Sequence, residues 1–233
     1  KGHLLGHVID MGRSTTDMTA RTYQTNERQY YHADSCDIVG LLCLRKARQG
    51  GASTIVSSVQ LYNEILSRSP DLLPELFAPV CVDRRGEIPP GAKPWYEVPV
   101  FNWVGDKLTT YFIRRYIDSA QRFDAVPRLS EKRVAAYDLF EEIADEPDVH
   151  LSMTFEPGDI QFLHNHQILH DRTAFQDFDD PSTRRHLLRL WLCPPDGRLL
   201  PEAYKQRWGS IEPGDRGGIV VEGATPKAPL FPE

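Results

Sequence analysis

Short apolar runs of strand length dominate the hydrophobic pattern of this chain. Residues 38–44 are continuously apolar, and residues 53–57 follow the Gly50-Gly51 turn, so the pattern predicts a strand and its return strand. Residues 4–10 predict an earlier strand, and residues 185–193 predict a strong late one. The chain is therefore expected to be built mainly from β-strands.

Two further stretches have the pattern of β-hairpins. Apolar and polar side chains alternate through residues 151–155 and again through residues 160–162, with turn-forming residues between them. Residues 101–111 show the same arrangement around Gly105-Asp106. Each stretch predicts a pair of neighbouring antiparallel strands.

The helical signals are fewer. Ser57 and Gln60 form a capping-box pattern before a segment with an apolar face, and Pro70 begins a short second helix. Ser130 precedes the best helical segment, residues 131–145. Several short strands with two or three helices predict a mainly β protein with helical cover, of the jelly-roll or barrel type.

Composition narrows the function classes. The 233 residues carry a net charge of −6 with a pI near 5.8, which argues against a general nucleic-acid binder. No apolar run has the length needed to span a membrane. The four cysteines form no CxxC pair, which is typical of reduced thiols in a cytoplasmic protein. We expect a cytoplasmic protein that acts on a small molecule, and the sequence does not indicate an oligomeric state.

Residues 81–128 differ from the rest of the chain. Turn residues alternate there with aromatic residues, and two adjacent arginines follow, Arg114 and Arg115. A long irregular segment inside a compact domain is usually a lid or a binding segment, whereas a solvated insertion is the alternative. We expect one domain over residues 1–208, with this insertion, and a Pro/Gly-rich tail over residues 209–233.

His32 and Asp34 form a candidate ligand pair. Their i, i+2 spacing puts both side chains on one face of an extended segment. A later histidine would complete two imidazoles and one carboxylate, the set that leaves positions open for cosubstrate and O2 in non-haem Fe(II) oxygenases. The pair alone is weak evidence, since a hydrogen-bonded histidine at a strand end has the same pattern. His164, His166 and His170 compete for the third position, and spacing does not choose among them.

The last strand carries a second candidate site. In an extended segment Arg185, Arg189 and Trp191 share one face, while the other face contains Leu190 and Leu192 and is expected to form the core. Two guanidiniums on one face suggest an anion site, because arginine stays charged and binds carboxylates through paired hydrogen bonds. A solvent-exposed face with both arginines paired to nearby aspartates explains the pattern equally well.

The whole set of motifs resembles the taurine dioxygenase-like (TauD/TfdA, clavaminate-synthase-like) Fe(II)- and 2-oxoglutarate-dependent oxygenases. The matching stretches are residues 32–34, 50–53, 157–159, 165–170 and 184–189. Their common order and spacing is more specific than any single stretch. The resemblance implies a double-stranded β-helix, or jelly roll. It implies that His32, Asp34 and His170 bind the iron, and that most of the portion that normally precedes the His-x-Asp motif is missing.

The same resemblance implies a cosubstrate site. Arg185 matches the residue that pairs with the distal carboxylate of 2-oxoglutarate. Ser53 matches a position whose hydroxyl touches that carboxylate, although the adjacent Thr54 is the alternative. Arg189 matches a position that reaches the cosubstrate or an anionic group of the substrate.

The implied activity is the oxidation, most simply the hydroxylation, of a C–H bond in a small anionic or amino-acid-like molecule. Fe(II), 2-oxoglutarate and O2 would take part, with release of succinate and CO2. Related halogenases lack the carboxylate ligand, so Asp34 argues against halogenation. We expect Arg114 or Arg115 to meet an anionic substrate group. Two other classes remain: a non-catalytic β-sandwich binding module, and a cupin-like metal hydrolase or isomerase that uses no 2-oxoglutarate.

Overall fold

The computed structural model of the protein describes residues 3–14, 16, 20–217, 225–229 and 231. Its strands are β1 Gly6–Val8, β2 Gln29–His32, β3 Ile38–Arg45, β4 Gln49–Gly50, β5 Ser53–Ser57, β6 Val80–Asp83, β7 Trp95–Val98, β8 Phe101–Val104, β9 Lys107–Thr110, β10 His150–Met153, β11 Ile160–His164, β12 Ile168–Arg172, β13 Phe175–Gln176 and β14 His186–Leu192. Its helices are α1 Ser58–Arg68, α2 Leu73–Phe77, α3 Arg114–Ala120, α4 Glu131–Ala144 and α5 Lys205–Trp208. The prediction of a mainly β protein with helices is confirmed. Within the described residues, every helix is too short or too polar to traverse a bilayer.

Two four-stranded antiparallel sheets form the centre of the molecule. Sheet I has the strand order β1-β14-β3-β11, and sheet II has the order β10-β5-β12-β2. The chain crosses repeatedly from one sheet to the other, since β2, β5 and β12 lie in sheet II and β3, β11 and β14 in sheet I. Neighbouring strands in each sheet therefore come from distant parts of the sequence.

Two predicted strand pairings are wrong for this reason. The strand at 53–57 is present, but it pairs with β10 and β12 and not with β3. The stretches 151–155 and 160–162 also separate, because β10 joins sheet II and β11 joins sheet I. The predicted hairpin at 101–111 is confirmed as β8 and β9. Its two strands are joined by a tight turn, and that turn fixes their register.

The helices begin where the capping residues predicted. The Ser57 hydroxyl accepts a hydrogen bond from the backbone N–H of Gln60 at 3.4 Å, and Ser130 accepts one from the N–H of Arg133 at 3.1 Å. Only half of the predicted capping box forms, because the Gln60 side chain donates to Glu64. Helices α1 and α4 cover the outer face of sheet II, and the main apolar core lies between them and that sheet.

The last strand faces the opposite way from the prediction. Arg189 and Trp191 point between the two sheets, while Leu190 and Leu192 lie on the outer face of sheet I and are each 37% exposed. Phe162 of the neighbouring β11 is 62% exposed on the same outer face. The expectation that this face forms the core is wrong for Leu190 and Leu192, although His186 and Leu188 on the same face are buried. The interior between the sheets holds the Arg189 and Trp191 side chains instead.

The chain beyond β14 is anchored to the domain. Leu200, Tyr204 and Trp208 join the main core, and the buried Arg216 guanidinium donates to both carboxylate oxygens of Asp37 at 3.1 Å. Of the tail predicted over residues 209–233, residues 218–224, 230, 232 and 233 lie outside the described residues.

The two faces of β14 give a matched test of this orientation. Leu187, which is 1% exposed on the inner face, should cost about 2–5 kcal/mol of unfolding free energy when changed to alanine, because a cavity remains. Leu190→Ala on the outer face should cost less than about 1 kcal/mol. Chemical denaturation of both variants measures the difference. An equal or larger loss for Leu190→Ala would contradict the assignment of the faces.

Candidate metal centre and cosubstrate site

The two histidines of the site face each other across adjacent strands of sheet II. His32 ends β2, His170 lies within β12, and the antiparallel register places them directly opposite each other. Directly opposed residues bring their side chains within contact distance on one face of a sheet. The two imidazole ring centroids are 4.2 Å apart. Strand register alone thus joins two residues that are far apart in the sequence.

Asp34 completes a three-residue cluster with the histidines. Its Oδ1 lies 3.8 Å from Nε2 of His32, and its Oδ2 lies 3.9 Å from Nε2 of His170. One ligand atom from each of the three residues lies within 4.8 Å of the others, the only such cluster found in the part of the chain that the structure describes. Two imidazoles and one carboxylate are a suitable donor set for a divalent iron ion.

Residues of sheet I and of the loop after β11 hold Asp34 in place. The Asn165 amide accepts from the Asp34 N–H at 2.9 Å and donates to the Asp34 carbonyl at 2.5 Å. The Trp191 indole N–H donates to Oδ2 of Asp34 at 2.8 Å, and Arg189 donates to the same oxygen at 3.3 Å. The Asp34 carboxylate therefore keeps Oδ1 turned toward His32 while Oδ2 is tied to sheet I.

Asp34 and His170 are held in the deprotonated forms that a metal site requires. Burial opposes ionisation of Asp34, but Arg189, the two imidazoles and the Trp191 hydrogen bond outweigh it and lower the pKa to about 2. Burial, and then the neighbouring His32, lower the pKa of His170 to about 3. The His32 Nδ1–H donates to the carbonyl of Tyr30 at 2.9 Å, which leaves Nε2 as the acceptor nitrogen that faces Asp34.

The other two candidate histidines lie elsewhere. Nε2 of His166 is 2.5 Å from Oδ1 of Asp37, a carboxylate that also binds Arg216. His164 lies at the exposed end of β11. The structure does not bring either one to His32 and Asp34.

A small cavity beside His170 contains the residues predicted to bind the cosubstrate. His32, His170, Ser53, Arg185 and Arg189 all line it. Ser53 is directly opposite Arg172 of β12 and shares its face. Thr54 is opposite Asp171, on the other face of the sheet, and does not line this cavity.

Arg185 is a buried cation without a counter-charge. It is 4% exposed, its Nη1 has no hydrogen-bond partner, and no carboxylate in the described residues forms an ion pair with its guanidinium. Burial lowers its pKa to about 10, so it stays charged at neutral pH. Asp177 accepts only from the backbone N–H of Arg185, so the alternative of arginines paired to nearby aspartates does not hold at this position.

Arg172 is a residue of this cavity that the sequence interpretation missed. It is buried, and its Nε and Nη1 have no partner. Burial, and then the charge of Arg185, lower its pKa to about 9. The signal was present in the sequence, because a residue two positions after His170 on a strand must share its face.

The Gly50-Gly51 turn makes room for Arg185. Gly51 has a φ of +74°, and a Cβ there would lie 3.2 Å from Nε of Arg185. Both the left-handed backbone and the close approach require glycine. Gly51 therefore serves the cavity, whereas Gly50 lies in β4 and is paired with Phe175 of β13.

A second, larger cavity of about 610 Å³ opens on the other side of the cluster. His32, Asp34 and Arg189 line it, and so do Arg114 and Arg115. Residues of the 81–128 segment form one wall, through β6, β7 and α3 and the loops between them. The segment also contacts the cluster directly, since the N–H of Ala33 donates to the carbonyl of Phe112 at 3.0 Å.

The two predicted substrate arginines differ in their surroundings. Arg114 forms ion pairs with Asp118, Asp138 and Glu141, at 3.0, 2.7 and 3.2 Å. Arg115 donates to the hydroxyl of Thr22 at 2.7 Å. Arg114 is therefore already surrounded by negative charge.

Comparison with known proteins identifies relatives of this chain. "FR-33289 synthase" of Streptomyces rubellomurinus (strain ATCC 31215) is 40% identical over 207 residues, which cover 87% of this chain and 61% of the synthase. The chain spans between 44% and 62% of the length of the curated relatives it matches.

Solved structures establish the fold. An asparagine oxygenase in complex with Fe(II), 2S,3S-3-hydroxyasparagine and succinate has a TM-score of 0.59 at 19% identity, over 81% of this chain and 56% of its own. The non-heme iron oxygenase OrfP in complex with Fe and alpha-ketoglutaric acid has a TM-score of 0.58 at 18% identity, over 82% and 56%.

The family model described as "Taurine catabolism dioxygenase TauD, TfdA family" matches residues 3–191, which include the whole His32, Asp34 and His170 cluster. The family prediction is confirmed, and the chain belongs to the TauD/TfdA family of non-haem iron, 2-oxoglutarate-dependent dioxygenases.

Proposed function

We propose that this protein oxidises, most simply hydroxylates, a C–H bond of a small anionic or amino-acid-like molecule, with Fe(II) and 2-oxoglutarate. One observation carries the proposal: a cluster of two imidazoles and one carboxylate adjoins a buried guanidinium, Arg185, that has no ion-pair partner in the described residues. We also propose that sheets I and II form the double-stranded β-helix, or jelly roll, expected of a clavaminate-synthase-like oxygenase.

The proposed metal ligands are His32, Asp34 and His170. The lowered pKa values of Asp34 and His170 keep both groups deprotonated at neutral pH, so they would bind Fe(II) without first releasing protons. When bound, Fe(II) and 2-oxoglutarate supply activation of O2 coupled to decarboxylation of the cosubstrate to succinate and CO2. The protein's task is to hold the reactants in position and to limit water at the site.

The proposed cosubstrate contacts are Arg185 and Ser53, with Arg172 added from the structure. A carboxylate in the small cavity would supply the negative charge that the two buried guanidiniums lack. Ser53 supports the same carboxylate, and Thr54 is the less favoured alternative because it lies on the opposite face. Arg189, between the two cavities, holds Asp34 and lies within reach of either ligand.

The substrate would occupy the larger cavity. The 81–128 segment is the proposed lid and substrate-contacting segment, and the two predicted arginines, Arg114 and Arg115, both line the cavity. The Arg114 guanidinium is already paired with three carboxylates. A screen for succinate release over amino acids, sulfonates, phosphonates and small carboxylates would identify the substrate class.

The metal and cosubstrate sites can be tested together by anaerobic addition of Fe(II) and then 2-oxoglutarate. We expect a weak visible charge-transfer absorption that appears only when both are present, and its loss in Asp34→Ala, because a ligand is removed. If no such absorption appears and the protein retains zinc tightly, the result would instead support the metal hydrolase or isomerase class. If the protein takes up no metal, the result would support the non-catalytic binding module.

Removal of one buried guanidinium should weaken cosubstrate binding without loss of the metal. We expect Arg185→Gln and Arg172→Gln each to raise the dissociation constant for 2-oxoglutarate by about tenfold or more, since a charged hydrogen bond is lost. Calorimetric titration of the anaerobic Fe(II) protein measures this. The matched control is Arg184→Gln, because Arg184 donates only to the backbone carbonyls of Phe178 and Asp179. If Arg185→Gln and Arg172→Gln bind 2-oxoglutarate as tightly as the Arg184→Gln control does, the assignment of these two residues to the cosubstrate site is overturned.

Asn165 is proposed as a positioning residue for Asp34. Asn165→Ala removes three buried hydrogen bonds, to the N–H and carbonyl of Asp34 and to the carbonyl of Cys36. We expect a loss of about 1–3 kcal/mol of unfolding free energy and a weaker affinity for Fe(II). Gln167→Ala, in the same turn, is the control for both measurements. Unchanged Fe(II) affinity together with reduced stability would assign Asn165 a purely structural role.

A further inference from the structure

A group of arginines at the far end of the larger cavity has no function in the site described above. Arg84 lies after β6 and Arg207 lies in α5, and both line the cavity wall. They are close enough that the charge of Arg207 lowers the pKa of Arg84, in addition to the effect of burial. Arg21 lines the same end.

Arg84 is a buried cation without a carboxylate partner. It is 7% exposed, and it donates through Nε and Nη2 to the backbone carbonyls of Lys93 and Gln206. Its Nη1 is buried and has no hydrogen-bond partner, and its guanidinium lies 5.1 Å from the ring centroid of Tyr96. The nearby Asp83 carboxylate is occupied by Ser119 and Arg122. The guanidinium is thus held rigidly by neutral acceptors, with one donor left over.

The local charge is positive. Two carboxylates lie at this end: Asp83 pairs with Arg122 at 3.1 Å, and Glu87 pairs with both Arg21, at 2.6 Å, and Arg207, at 3.3 Å. Apart from the Asp83–Arg122 pair, whose charges cancel, the guanidiniums of Arg21, Arg84 and Arg207 with the Glu87 carboxylate give a local charge of +2. Elsewhere in the wall the balance differs, since Arg114 alone faces three carboxylates.

Two tyrosines connect this end to the metal cluster. The Tyr96 and Tyr111 hydroxyls are 2.8 Å apart, and the Tyr111 hydroxyl lies 3.3 Å from Oγ of Ser35, the residue after Asp34. The arginine end and the metal end are therefore separated by the width of a tyrosine pair, within one continuous cavity.

We infer that Arg84 and Arg207 bind a phosphate or phosphonate group of the substrate, at the end of the molecule remote from the carbon that is oxidised. This rests on the proposed function for the location of the oxidised carbon. Arg84 has an unpaired buried Nη1 and the Arg207 guanidinium lies at the same end, and guanidiniums bind phosphate oxygens through charge-assisted hydrogen bonds. The local charge of +2 matches a dianion better than a singly charged sulfonate or carboxylate.

The test measures binding, and it measures the two sites separately. The anaerobic Fe(II) protein is first titrated with 2-oxoglutarate, which fills the Arg185 cavity, and then with methylphosphonate, methyl phosphate, methanesulfonate or acetate in a calorimeter at a pH where the first two are dianions. We expect both phosphorus ligands to bind at least tenfold more tightly than acetate, and the tighter of the two identifies phosphonate or phosphate ester as the natural group.

Variants then locate the bound group. Arg84→Gln and Arg207→Gln should each weaken methylphosphonate binding by about tenfold or more and leave 2-oxoglutarate binding unchanged. Arg84→Lys should recover part of the affinity. The control is Arg68→Gln, an exposed arginine of α1 that pairs with Glu64 and Glu146. If Arg84→Gln does not fold, as judged by circular dichroism, Arg207→Gln carries the test alone.

The outcomes separate this inference from the proposed function. Acetate binding equal to methylphosphonate binding, or methylphosphonate binding unchanged in the folded Arg84 and Arg207 variants, overturns the phosphate subsite. Absence of 2-oxoglutarate binding in the unsubstituted protein overturns the proposed function, whatever the phosphorus ligands do.

Discussion

The register of two strands is the constraint on which the rest of the site depends. β2 and β12 must pair so that His32 is opposite His170, because a shift by one residue would move an imidazole to the other face of sheet II. Asp34 then reaches the pair only because Trp191 and Asn165 hold it from outside that sheet. The three residues therefore exist as a cluster only after both sheets have assembled. Metal binding is expected to stabilise that assembly, since the unfolded chain has no preformed site.

The interior between the sheets contains buried charged side chains, whereas most protein cores are apolar. Arg185 and Arg172 are buried together, and each charge raises the cost of burying the other. The apolar residues of β14 that would relieve this cost, Leu190 and Leu192, lie outside. Such a core is less stable than an apolar one, and a bound dicarboxylate would offset part of the difference.

What the sequence predicted correctly was encoded within a few residues. The Ser57 and Ser130 caps and the hairpin at 101–111 each depend on neighbours in the chain, and all three form. The pairings assigned to 53–57 and 160–162 failed because the partners of these strands come from distant sequence. Spacing could not select His170 among the histidines either. That choice came from the family resemblance. The structure adds the partner of each buried charge, which neither the spacing nor the resemblance indicates.

The partners of the buried charges also separate the arginines of this protein into two kinds. Arg114 and Arg28 are surrounded by carboxylates, so their charge is already used to hold elements together. Arg185 and Arg84 are buried with donors left over and no carboxylate paired with their guanidiniums in the described residues. A buried donor without a partner costs free energy that the fold alone does not recover, and two such donors flank the metal cluster in two different cavities. The cavity that holds Arg185 is walled by the sheets, so it suits the cosubstrate that the family shares. The one that holds Arg84 has one wall from the 81–128 segment, which lies outside the two strands that carry His32 and His170.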